Sequence, residues 1–243
     1  IFNFKKNMKF LKKVVQNIRK NIIVLTHQAK SSHIGSCLSI VEILTYLYFR
    51  VIKKNKQDRF ILSKGHGTLA LYCVLHEKKI LNKKILFSYG KNNSLLMGHA
   101  SHHVPGIIFS TGSLGHGLPV AVGLALSSKI KKKPKKIYVL LSDGELNEGS
   151  VWEALMFASH HNLDNLCVIV DYNKIQSLTS VKNTIKIEPL RDKFKSFGCQ
   201  VVNINGHNFS HFKRAFKSSA IRKPKVIIAN TVKGKGVSFM ENK

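Results

Sequence analysis

Two stretches of the 243-residue chain have residue types and spacing that could do chemistry. They are Ser142-Asp143-Gly144-Glu145-Leu146-Asn147-Glu148-Gly149 and Asp171-Tyr172-Asn173-Lys174-Ile175. Each follows an apolar run, residues 137–141 for the first and 166–170 for the second, so each reads as the loop at the carboxyl end of a buried strand. A carboxylate at Asp143 and a carboxamide at Asn173 are hard oxygen donors. Delivered to one edge of a parallel sheet, they suit Mg²⁺ or Ca²⁺, ions that also recruit backbone carbonyls and phosphate oxygens. Such a site would clamp a diphosphate, and Gly144 lets the backbone approach it closely. An Asp-Gly turn by itself is equally a plain strand-to-helix connection. The pairing of Asp143 with Asn173, each after a strand of buried type, favours the metal–diphosphate reading.

These segments resemble the thiamine diphosphate signature, which runs Gly-Asp-Gly, then a long interval, then Asn. The run from Asp143 through Trp152 to Ala158 is similar to the amino-terminal half of transketolase. Other segments carry the same resemblance in family order: Ser32-His33-Ile34-Gly35, Asp58-Arg59-Phe60-Ile61-Leu62-Ser63-Lys64-Gly65-His66-Gly67, Gly98-His99, Thr111-Gly112-Ser113-Leu114-Gly115-His116-Gly117 and Lys233-Gly234-Lys235-Gly236-Val237. The departures are Ser142 for the first signature Gly, Ile34 for a Pro, and His116 where the family often has Gln.

The resemblance implies roles residue by residue. Asp143, Asn173 and the backbone carbonyl of Ile175 would hold the metal. Gly144 would leave room for the diphosphate, with Gly112 and Leu114 contributing backbone and apolar cofactor contacts and His116 a further one. His66 and His33 would line the cofactor and substrate end of the cleft, and His99 would reach the sugar's hydroxyl and carbonyl oxygens. Neutral imidazoles can both donate and accept protons near neutral pH, which sugar carbonyl chemistry requires. A loop His is otherwise an ordinary solvated residue. Glu148 is similar to the family's acidic residue at the interface between subunits, although a carboxylate at a helix amino terminus is favourable in its own right. Glu153 is a further member of that network, while Trp152, Met156 and Phe157 suit core or interface packing.

The elements that must position these groups alternate between helix and strand. Residues 8–29 have apolar positions at Leu11, Val14, Val15, Ile18, Ile22 and Leu25, the spacing of an amphipathic helix. Helices are expected at 39–51, 68–77, 118–128, 150–161 and 209–220, and strands at 60–62, 137–141, 166–170, 200–204 and 226–229. Residues 81–112 read as a long functional loop. The alternation predicts an α/β fold: three layers, with a mostly parallel central sheet flanked by helices, a right-handed βαβ unit over 137–170, and the ligand beyond the carboxyl ends of the strands. The resemblance identifies this as the thiamine diphosphate-binding fold. Residues 1–243 would then form a single diphosphate-binding domain, with the pyrimidine-binding and carboxyl-terminal domains absent.

Composition narrows the classes. Hydrophobic content of 44% suits a globular enzyme, and no apolar run approaches the roughly 20 residues of a membrane span. Lys5, Lys6, Lys9, Lys12 and Lys13 among apolar residues could pass for a transit-peptide helix, without a secretory h-region. The first residue is Ile, with Met8 the first internal Met. Cys37, Cys73, Cys167 and Cys199 are scattered, which argues against a disulfide framework or a zinc site and for a reducing cytoplasm. The net charge of +28 raises a nucleic-acid reading. Only 6 of the 40 basic residues are Arg, and they spread along the whole chain with local clusters such as 129–136. A dedicated binder concentrates Arg with stacking aromatics, so we read the charge as a Lys-, Asn- and Ile-rich coding bias. Attraction of anionic sugar phosphates is a secondary reading.

The function expected is the amino-terminal subunit of a split, thiamine diphosphate- and divalent metal-dependent transketolase. It would move a two-carbon ketol unit from a ketose phosphate to an aldose phosphate. It would be active only with a carboxyl-terminal partner subunit carrying the pyrimidine-binding domain, as a hetero-oligomer with two copies of each. The alternatives are a subunit of another thiamine diphosphate enzyme (a deoxyxylulose-phosphate synthase or a 2-oxo acid dehydrogenase component) and a non-catalytic basic remnant of the fold.

Overall fold

Runs of Val, Ile and Leu at 137–142, 166–172 and 225–230 can be buried on both faces only at the centre of a parallel sheet, and they lie there in the computed structural model. The structure describes residues 2–52, 57–132, 135–177, 179–218 and 221–243, with the side chains of residues 2–7 left aside. The strands are β1 (Arg59–Leu62), β2 (Ile137–Ser142), β3 (Leu166–Tyr172), β4 (Gln200–Asn205) and β5 (Lys225–Asn230). Their order is β1-β2-β3-β5-β4, and every pairing is parallel.

Successive strand residues point to opposite faces, and a helical layer covers each face. On one side Tyr138, Leu140, Cys167, Ile169 and Ile227 join the core of α1 (Phe2–Ala29), α2 (Ile34–Ser39), α3 (Val41–Tyr46) and α4 (Thr68–Glu77). After α5 (Lys83–Leu86), α6 (Gly117–Ile130) and α7 (Gly149–His160) pack on the other side against Ile137, Val139, Leu141, Val168 and Val170. Two short helices, α8 (Val181–Thr184) and α9 (Leu190–Ser196), precede β4, and α10 (Phe209–Lys217) joins the first layer. The three-layer α/β expectation is met. The six apolar positions expected on α1 are all buried.

The differences are local. The helix expected over 39–51 is broken into α2, α3 and a π-helical turn, Leu47–Val51. The Ser39 hydroxyl bonds back to the Ser36 carbonyl and forward to Asp171, and Ile40 leaves helical geometry. The loop expected at 81–112 contains α5 and is pinned by buried Leu81, Leu86, Tyr89, Leu96, Val104 and Ile107. The sequence pattern did not indicate α9, whose Lys-rich stretch buries only Leu190 and Phe194. Lys133 and Pro134 of the basic cluster, the end of the helix expected at 209–220, and the Lys5 and Lys6 side chains lie outside the described residues. No helix among the described residues is long and apolar enough to cross a membrane.

Candidate functional site

Ser142 and Asp171 are register partners on adjacent strands, so the loops after β2 and β3 leave the sheet side by side. They open into a cavity of about 510 Å³, a volume typical of a small-molecule site. Its lining includes Asp143, Gly144, Asn173 and Ile175 from these loops, with Lys64 and His66 from the end of β1, His33 from the start of α2, Leu114, and Lys233 after β5.

Asp143 is 2% exposed and caps a 3₁₀ turn, Gly144–Asn147. Its Oδ1 accepts from the Gly144 N–H at 2.8 Å and its Oδ2 from the Lys174 N–H at 2.6 Å. Burial and the neighbouring Asp171 charge push its carboxyl up to about 6, against the opposing pull of those two amides and of Lys64. Among the described residues it has no ion-pair partner. Asn173 donates from Nδ2 to Asp171 Oδ2 at 3.2 Å and accepts from the Ile175 N–H at 3.0 Å, which fixes the orientation of its amide.

Asp171 is fully buried in β3 and is the hub that holds this arrangement. It accepts from Lys64 Nζ at 2.6 Å, from Ser39 Oγ at 2.7 Å, from the Thr231 hydroxyl and from Asn173. Burial works against its charge, but Lys64 and these donors take it below the ordinary carboxylate range. Glu145 ties a second set of segments together. It accepts from the Ser63 hydroxyl, from the Gly115 N–H at 2.9 Å and from the Ser142 N–H at 3.3 Å. Burial raises its pKa, with the Ser63 bond opposing.

The imidazoles cluster at the other end. The His33 and His66 rings are 5.3 Å apart and those of His33 and His99 are 6.2 Å apart. His66 lies in a 3₁₀ turn whose Gly65 passes so close to the Thr111 carbonyl that a Cβ would sit 2.6 Å from its oxygen. Burial, then the Lys64 charge and His33, depress the His66 imidazole to about 3, so it is neutral. Burial and His99 likewise lower His33. His33 itself is left-handed, at φ 68°.

The remaining candidates lie around this cleft. Leu114 lines the cavity; His99, Gly112, His116 and Glu148 are not in its lining. The Tyr72 hydroxyl donates to the His99 carbonyl at 3.1 Å, and Gly112 faces the His99 ring. His116 is exposed at the start of α6, its Nδ1 donating to the Leu114 carbonyl at 3.1 Å. Glu148 is exposed at the start of α7, where its side chain makes no capping bond. Sequence reasoning assigned nothing to Asp171, Glu145, Lys64 or Lys233. The signal was present: Asp171 is an ionisable residue ending an otherwise apolar strand, and such a group is buried only when paired.

A divalent cation fits this donor set. Asp143 supplies a buried carboxylate whose oxygens each carry one amide bond and retain a lone pair, and Asn173 Oδ1 retains another. No cluster of three His, Cys, Asp or Glu side chains occurs among the described residues, so phosphate oxygens and backbone carbonyls would have to complete the shell. At Gly144 a Cβ would meet the Gln176 side chain at 3.3 Å, so the glycine keeps open the space beside Asp143.

Comparison with known proteins gives a consistent result. Residues 11–243 match the family model described as transketolase, thiamine diphosphate binding domain. One of the two polypeptides of the apulose-4-phosphate transketolase of Actinobacillus succinogenes is 42% identical over 243 residues, covering 96% of this chain and 88% of that protein. Its counterpart from Phocaeicola vulgatus is 40% identical over 232 residues, covering 92% and 83%. Among solved structures, transketolase from Campylobacter jejuni superposes with a TM-score of 0.90 at 31% identity. The match covers 97% of this chain and 39% of that one.

Proposed function

The chain belongs to the family of the transketolase thiamine diphosphate-binding domain, and from that membership we propose that it is the amino-terminal subunit of a two-polypeptide transketolase. Residues 1–243 act as one diphosphate-binding domain. A partner polypeptide carries the pyrimidine-binding and carboxyl-terminal domains, with two copies of each chain in the cytoplasmic assembly. The reaction transfers a two-carbon ketol unit between sugar phosphates, as in the pentose phosphate pathway.

The observation that carries this reading is the convergence of Asp143 and Asn173 on one cavity with His33 and His66. Asp143, Asn173 and the Ile175 carbonyl hold Mg²⁺ (or Ca²⁺), and Gly144 leaves space for the diphosphate. Leu114, Gly112 and His116 line the path of the rest of the cofactor. When bound, thiamine diphosphate supplies a nucleophilic carbon and an electron sink for breaking the carbon–carbon bond beside a carbonyl. His66, neutral through the physiological range, offers one N–H and one lone pair to sugar oxygens. His33 and His99 complete a three-imidazole wall suited to a polyhydroxylated substrate rather than to a 2-oxo acid. Glu148 stays on the surface for the interface between subunits.

Calorimetry of the chain with its partner tests the reading: thiamine diphosphate binds only when Mg²⁺ is present. Ketol transfer from xylulose 5-phosphate appears only when both polypeptides are mixed. Turnover by this chain alone, or a preference for pyruvate, would overturn it.

A further inference from the structure

Lys233 reaches the cavity from a loop that belongs to no helix or strand, and side chains far away in sequence hold that loop. The Gly234 N–H donates to the Gly35 carbonyl at 3.0 Å, which links the loop to the turn bearing His33. Arg19 Nε donates to the Lys235 carbonyl at 2.8 Å. The Val232 N–H, immediately before Lys233, donates to Nε2 of His207 at 2.9 Å. Lys233 Nζ then donates to the Gln176 carbonyl at 3.0 Å, across from Gly144.

His207 lies in the turn between β4 and α10, where its own N–H is held by Asn205 Oδ1 at 2.8 Å. Its Nδ1 stands 3.0 Å from Glu42 Oε2, an oxygen that also accepts from Arg19 at 2.9 Å. Burial opposes charge on Glu42, but His207 and Arg19 take it below the usual carboxylate range, so it is an acceptor only. Nδ1 must therefore carry the hydrogen, and Nε2 must be bare to take the Val232 N–H. The ring is held as one neutral tautomer, with a donor on one side and an acceptor on the other. It does not line the cavity.

The geometry points to His207 as a positioning residue: its Nε2 fixes Val232 and so sets Lys233 and the His33 turn around the cofactor cavity. That the cavity takes a diphosphate rests on the function proposed above; the loop tie does not.

Two substitutions separate the two sides of the ring. In His207→Asn the amide nitrogen falls near the Nδ1 position and can keep Glu42, but nothing reaches Val232. In His207→Gln the amide oxygen falls near the Nε2 position and can accept from Val232. Hydrogen exchange on the full chain without cofactor reads the tie directly. Amides of residues 232–237 exchange about 10-fold faster in H207N, the loss of one hydrogen bond, and within about 3-fold of wild type in H207Q. Calorimetry of the chain with its partner, Mg²⁺ and thiamine diphosphate reads the consequence. The dissociation constant rises about 10-fold in H207N and holds in H207Q, with kcat at saturating cofactor unchanged. Equal effects in both variants, or wild-type exchange in H207N, overturn the proposal. Wild-type protein that fails to bind thiamine diphosphate overturns the function and the cofactor half of this inference, while the exchange result still decides the tie.

Discussion

Asp143 and Asp171 end neighbouring strands of one sheet, and both are almost wholly removed from water, yet their environments are opposite. Asp171 has a lysine ammonium at 2.6 Å and a ring of hydroxyl and amide donors, and its carboxyl is held ionised. Asp143 has two backbone amides and no cation, and burial with the like charge of Asp171 lifts it to about 6. A buried carboxylate supplied with its counter-ion by the chain is scaffolding. One left without is a place where a cation from outside can bind.

Breaking the Asp171 side has the largest effect. Asp171→Asn leaves Lys64 buried with no opposite charge, and loss of one partner of a buried pair costs about 3–5 kcal/mol. Denaturant unfolding of the cofactor-free chain measures it. Adding Lys64→Met recovers most of the loss, because the stranded charge is then gone. A double variant no better than the sum of its singles would mean that Asp171 acts through Ser39 and Thr231 alone.

Breaking the Asp143 side separates binding from stability. Asp143→Asn lowers Mg²⁺-dependent affinity for thiamine diphosphate by at least ~100-fold, as expected for a direct ligand. Its stability changes in the other direction. Because the folded pKa lies above the unfolded one, the wild-type carboxyl binds an extra proton between about pH 4 and 6, and cofactor-free stability falls as pH rises through that window. The loss reaches about 3 kcal/mol above pH 6 and is missing in the Asn variant. Melting curves from pH 4 to 7 therefore diverge, with the variant gaining on wild type. Parallel curves would show that Asp143 is compensated like Asp171.

The same contrast explains what the sequence made legible. Asp143 and Asn173 stand in loops directly after apolar strands, where a polar residue has no packing reason to be, and the strand order then had only to place β2 beside β3. The helical layers followed from apolar spacing, as on α1. The scaffolding was harder to read because its partners are remote. Lys64 meets Asp171 across 107 positions and His207 meets Glu42 across 165, and no local pattern encodes such a pairing. The break between α2 and α3 was hidden for the same reason, since Ser39 bonds to a residue 132 positions away. His116 and Glu148 carried motif signals, yet both are exposed and outside the cavity lining, because a motif specifies a loop and the packing around it decides which side chains turn inward.

The smallest effect concerns how far the Lys64 charge reaches. Lys64 pairs with Asp171, but after burial it is also the largest influence holding His66 neutral, so scaffold and cavity wall share one cation. The His66 pKa is about 3 in the folded chain, below the ordinary 6.5. Native protein therefore takes up no proton there between these values, whereas unfolded chain does. The resulting stability is whole above pH 6.5 and declines by up to about 1.4 kcal/mol per pH unit as pH falls toward 3. In an NMR titration the His66 ring signals stay flat from pH 8 to 5, while exposed imidazoles such as His116 are free to move. His66→Gln removes this acid-side slope and leaves stability at pH 8 within about 1 kcal/mol of wild type. A His66 resonance that titrates near 6.5 would place the ring in water, and the cavity wall would then owe nothing to the buried pair behind it.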